Sequence, residues 1–155
     1  MCLSKIVKSL RIWPASDGGF SDAIDSVKPL VAEYGIELQQ VKTMSYAGRS
    51  EYVVRGQSAH IQMDISTEKQ GVYLRIAPLV AGGDFHDFGL RAIDLSFIMM
   101  CLAPEERYEP KYVRSAEQLR EEIERQVGRL IKYGRPFLEG DFSSWSSLME
   151  FAKTQ

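Results

Sequence analysis

The chain reads as an α+β protein: an antiparallel sheet of about four strands, helices packed on one face of it, and a helix hairpin at the C-terminus. Three observations predict this. Residues 36–80 carry two-residue alternation broken only by short turns. Residues 21–35 and 88–152 instead repeat apolar positions at helical spacing. The length, 155 residues, suits one domain with a core that needs no disulfide or metal.

The first segment, "MCLSKIVKSLRIW", sets Leu3, Ile6, Val7 and Leu10 against Lys5, Lys8 and Arg11. That pattern predicts an amphipathic helix over residues 1–14. It docks on its own domain or on a second copy, in preference to a membrane surface or an acidic partner, because three turns bury too little area for firm membrane binding. It has no continuous apolar core and no small-residue cleavage site, so it does not read as a secretory leader. Ser21 then caps a helix that presents Ile24, Val27, Leu30, Val31 and Tyr34, with Gly35 as its stop. Pro29 leaves two versions open: a kinked helix, or a turn followed by a helix starting near Lys28.

"IELQQVKTMSY" begins as a strand and slips near Gln39–Val41, which predicts a bulge. "EYVVRG" is a short strand. "AHIQMDI" sets Ala59, Ile61, Met63 and Ile65 against His60, Gln62 and Asp64. "VYLRIAPLV" sets Val72, Leu74 and Ile76 against Tyr73 and Arg75. Short connections make the four an antiparallel meander with one apolar and one wet face.

"AGGDFHDFG" is a loop, with Asp87 placed to cap a helix over residues 90–102. That helix is apolar nearly all round, so it is buried on more than one side or forms a homodimer interface. Its Cys101 behaves as a small buried hydrophobe. Nothing in the pattern asks for a bond to Cys2, and a reducing, cytoplasmic setting follows. The longest apolar run, "IDLSFIMMCLA", is too short to span a bilayer. After the connector "PEERYEPKYVR", Ser115 and Gln118 form a capping box for a helix carrying Leu119, Ile123, Val127, Leu130 and Ile131.

Gly134 then caps that helix in a left-handed conformation, Pro136 stops it, and Phe137 and Leu138 turn inward. Asp141 or Ser143 caps a last helix with Phe142, Trp145, Leu148, Met149 and Ala152 on one stripe. This ending, "LIKYGRPFLEGDFSSWSSLMEF", resembles the tail of many small bacterial α+β proteins. In those an aliphatic helix leads to a Tyr-Gly turn, a Leu-x-Gly-Asp segment and a short final helix. Some are similar to immunity proteins of bacterial toxin systems. The resemblance implies a partner-binding protein and brings no catalytic residues.

Composition narrows the function classes. With 19 basic and 21 acidic residues, net charge -2, there is no broad attraction for nucleic acid. There is no glycine-rich phosphate loop and no cofactor motif. The expected function is therefore a non-enzymatic protein-binding module of immunity or regulatory type, with no cofactor. Tyr46, Arg49, Tyr52, Arg55, Tyr73 and Arg75 populate the wet sheet face, and Arg135, Glu139 and Asp141 the C-terminal corner. Arginines and aromatics favour a protein interface. The alternative is a small metal-dependent enzyme whose carboxylate and imidazole ligands are Asp84, His86, Asp87 and His60.

Overall fold

The computed structural model describes residues 16–46, 49–106, 108–109 and 111–155. The N-terminal helix expected over residues 1–14, and Cys2, lie outside the described residues. Helix α1 (Asp17–Ala32) begins earlier than expected, because the Ser16 hydroxyl, not Ser21, accepts from the Gly19 amide at 3.0 Å. Of the two versions of this segment, the continuous helix forms, with Pro29 inside it. The amides of Gly35 and Ile36 bond back to Ala32 and Val31, a Schellman pair that needs the left-handed Gly35, φ +74°. Phe20, Ile24, Val27 and Val31 are buried, whereas Leu30, expected inward, is 41% exposed.

The sheet follows in chain order: β1 (Glu37–Leu38), β2 (Lys42–Tyr46), β3 (Arg49–Gln57), β4 (Ile61–Glu68), β5 (Gly71–Pro78) and β6 (Ile93–Asp94). All pairs are antiparallel, and β1 and β2 share one edge of β3. Leu38 faces Gly56 while Lys42 faces Val53, so β1–β2 spends one residue more than β3 over the same span. This is the bulge expected near Gln39–Val41, and it turns Met44 to the outer face. The strand number exceeds four because the bulge splits the first strand and β6 adds an edge from a segment expected to be helical.

The residues expected to start one helix at residue 90 form three pieces. Helix α2 (Phe88–Arg91) is one turn, β6 pairs Ile93 with Ile76, and α3 (Leu95–Leu102) starts only then. Asp94, not Asp87, caps α3 by accepting from the Ser96 amide at 2.8 Å. Leu95, Ile98 and Met99 are buried, but Cys101, expected buried, is exposed.

Helix α4 (Ala116–Tyr133) starts at the expected capping box: Ser115 accepts from the Gln118 amide at 3.1 Å. Gly134 is not left-handed; its φ is -95°. It is glycine because a Cβ there would stand 2.8 Å from the Leu130 carbonyl oxygen. One turn, α5 (Arg135–Leu138), buries Phe137 and Leu138. Helix α6 (Trp145–Lys153) packs chiefly on α3, so the C-terminus is not a simple hairpin against α4. Asp141 does not cap α6. It accepts from the Ser143 amide at 3.0 Å in the preceding turn, a bond that lowers its carboxyl from the usual range. Phe137, Phe142 and Trp145 form an aromatic cluster with centroids 5.2–5.7 Å apart. The inward residues of these helices and the inner sheet face, with Ile61, Met63, Ile65, Leu74 and Ile76, form one core.

Candidate functional site

The outer sheet face is organised by a row of alternating charges. Register places Arg55 of β3 across from Asp64 of β4, Asp64 across from Arg75 of β5, and Arg75 across from Asp94 of β6. Asp64 is only 2% exposed. Both its oxygens accept from Arg75, at 3.0 Å from Nε and 2.5 Å from Nη2. That hydrogen bonding, outweighing burial, raises the Arg75 guanidinium above its ordinary value. Burial raises the Asp94 carboxyl, against the amide bond from Ser96 and the charge of Arg75. Arg55 differs from Arg75. Its side chain makes no ion pair or hydrogen bond among the described residues, and its Nε is buried without a partner.

A flap, residues 79–92, folds back over one half of this face. Gln62 is fully buried beneath it and fixes it: Nε2 donates to the Asp84 carbonyl at 2.8 Å, and Oε1 accepts from Arg91 at 3.0 Å. Arg91 also donates to the Pro78 carbonyl at 3.2 Å. Gly82 and Gly83, φ +85° and +66°, let the flap turn this tightly, and a Cβ on Gly83 would meet the Gln57 amide at 3.0 Å. The flap lays Phe85 over Arg55 at 5.1 Å and Phe88 over Arg75 at 5.3 Å. The wet face expected to be free is therefore half covered, and β4 is buried on both sides along most of its length.

The other half stays open as a groove of about 280 Å³. Met44, 55% exposed, and Val53 supply its apolar wall, Arg55 and Asp64 one end, and Glu68 the other. Glu51 is held inside it, accepting from the Thr67 hydroxyl at 3.1 Å and the Lys69 amide at 3.3 Å. The β4–β5 turn at this end puts two non-glycine residues in the left-handed region, Lys69 at φ 48° and Gln70 at φ 69°. Tyr73 stands across from Ser66 on the same face, half exposed. Its phenol is raised by burial first, then by Glu68 and Asp94.

Of the residues expected on this face, Arg55, Tyr73 and Arg75 come together there. Tyr52 does not. It points into the core and stacks on Phe20 at 5.8 Å, because the next residue along β3, Val53, takes the outer position. Tyr46 and Arg49 stand across from each other at the far end of β2 and β3. Arg135, Glu139 and Asp141 lie on the helix layer, away from the sheet's outer face. Arg135 donates to the Tyr34 hydroxyl at 3.1 Å, and Glu139 is exposed.

The proposed metal ligands do not converge. His86 pairs with Asp87 at 3.1 Å, and the Asp84 carboxylate accepts from the His86 amide at 2.9 Å. The His60 ring instead lies against Gly140, whose Cβ would stand 2.7 Å from Nδ1. Among the described residues no three His, Cys, Asp or Glu side chains are grouped to hold a metal ion.

Sequence reasoning missed Met44 and Glu51, whose positions on the face follow from the bulge register. It also missed a buried polar cluster on α4. Glu122 and Gln126 are buried on the helix's inner side. Arg125 holds Glu122 with bonds of 2.9 and 2.6 Å, and Gln126 donates to the Val72 carbonyl at 2.7 Å. That carbonyl lies on the stretch of β5 that β6 is too short to cover, so the glutamine satisfies an exposed edge. Tyr108 packs beneath Arg125 and Arg129, and burial pushes its phenol up to about 12. No helix among the described residues is long and apolar enough to cross a membrane. No protein-family model, no curated protein and no solved structure matches this chain.

Proposed function

We propose that this chain is a non-enzymatic protein-binding module that docks its partner on the open half of the outer sheet face. The observation that carries the reading is the groove itself. It joins an exposed apolar wall to charged groups held in place before any partner arrives, and it lies beside the edge of β2 that no other strand among the described residues pairs with. Such a surface suits a protein, which matches apolar and polar patches together. It suits a nucleic acid poorly, because the three basic residues lining it, Arg55, Lys69 and Arg75, are balanced by three acids, Glu51, Asp64 and Glu68. The C-terminal resemblance supports an immunity or regulatory role.

The test is affinity capture with three forms of the protein. Met44→Glu places charge on the groove and Tyr73→Glu on the same sheet face beside it, across from Ser66, both without touching the Asp64–Arg75 pair. Glu139→Lys alters the distant corner. The reading expects a partner lost with the first two and kept with the third. A partner unaffected by Met44→Glu and Tyr73→Glu, or no partner at all, refutes it.

A further inference from the structure

We propose, resting on that docking reading, that the partner segment presents an acidic side chain beside an apolar one, with the carboxylate seated on Arg55. The three cations of the groove are not equivalent. Arg75 is spent on Asp64 through two hydrogen bonds. Lys69 sits on the exposed turn beyond the end of β4. Arg55 faces Asp64 in register, yet that carboxylate is already taken. A buried donor left unbonded destabilises the fold, and Arg55 Nε is one.

The guanidinium is also oriented in advance. The Phe85 ring lies 5.1 Å from its Cζ on the flap side, and Gln62 and Arg91 hold the flap that carries Phe85. A planar fork fixed in this way recognises a carboxylate with little ordering left to do on binding. The acids of the groove do not compete for it. Asp64 and Glu51 accept from neighbours within the protein. Glu68 stands four residues along β4 from Asp64, about 13 Å away at strand rise. Between the two ends lie Met44 and Val53. The groove is thus cationic at the Arg55 end and apolar in the middle, which is the charge complement of an acidic–apolar segment.

The probe is a display library of random short peptides selected on the whole protein, followed by affinity measurement of the enriched sequences. The expected motif is Asp or Glu adjacent to Leu, Ile, Met or Phe. Arg55→Met is expected to weaken binding by at least about tenfold, with an unfolding midpoint equal to or above the parent's, since the orphaned donor is gone. Arg55→Lys, which keeps the charge without the fork, recovers only part of the affinity. Peptides without acidic enrichment, or acidic peptides that bind Arg55→Met equally well, overturn the proposal. If such peptides are nevertheless lost in Met44→Glu, docking in the groove stands and only the acidic anchor falls. Binding indifferent to Met44→Glu, or no enriched sequence, removes both.

Discussion

Arg75→Met is expected to destabilise the protein more than Asp64→Asn, although the two residues form one ion pair. The asymmetry follows from burial: the Asp64 side chain is 2% exposed and that of Arg75 is 37% exposed. Removing the guanidinium strands a buried carboxylate with neither of its two donors, and breaking a buried pair from that side costs ~3–5 kcal/mol. Methionine keeps much of the aliphatic stem that packs beside Phe88, so lost packing adds little. Asp64→Asn leaves an acceptor of the same shape, and Arg75 can turn its exposed edge to water. The cost there is about 1.5–3 kcal/mol, near that of one charged hydrogen bond. The gap of roughly 2 kcal/mol is readable from urea unfolding if the denaturant slopes stay equal. The double variant Asp64→Leu, Arg75→Met completes the cycle and is expected to be more stable than Arg75→Met alone. An Asp64→Asn variant that loses as much as Arg75→Met would show that the pair is not desolvated as described.

Asp94→Asn tests the raised carboxyl that caps α3. The folded state holds that proton more tightly than the unfolded chain, so the contribution is full below the ordinary carboxyl value of 3.8 and is lost as pH rises through the folded value. Asparagine keeps the acceptor for Ser96 but does not titrate, so the variant's urea midpoint should fall less than the parent's across that window. Tyr108, raised to about 12, behaves alike at the alkaline end. Its contribution is present below the unfolded value of about 10 and lost as pH rises toward the folded one. Phenolate absorbance should show a late-titrating tyrosine that Tyr108→Phe removes. Lys69→Asn with Gln70→Gly gives the left-handed turn residues suited to it, and is expected to add about 1 kcal/mol to unfolding stability. An unchanged midpoint would mean the turn is not strained.

The meander was legible because Ile61–Met63–Ile65 and Val72–Leu74–Ile76 alternate cleanly, and α4 because its cap and stripe agree. The region from residue 79 to 94 was not. Phe85 and Phe88 read only as loop residues, and Leu90 and Ile93 look like the start of the following helix by spacing alone. What they do is set by Gln62, far away in sequence, which anchors a flap that no local pattern encodes. Tyr52 was misplaced because Tyr52, Val53 and Val54 give no alternation to choose a face. The register with β2 and β4 decides it. On α4, Glu122 and Gln126 read as surface residues. Their burial answers a bare carbonyl on β5, a need visible only after the sheet is assembled. The candidate groove therefore depends on long-range pairing at nearly every wall.

Because β4 is sandwiched between the helices and the flap while β2 pairs, among the described residues, with β3 alone, the two strands report on different events in amide hydrogen exchange. Exchange at β4 requires opening of the whole domain, so Met63 measures global stability. Exchange at β2 needs only local release of an outermost strand. A segment that settles beside Met44 should slow deuterium uptake there far more than at β4. One uptake experiment can then separate where a partner sits from how much it stabilises the molecule.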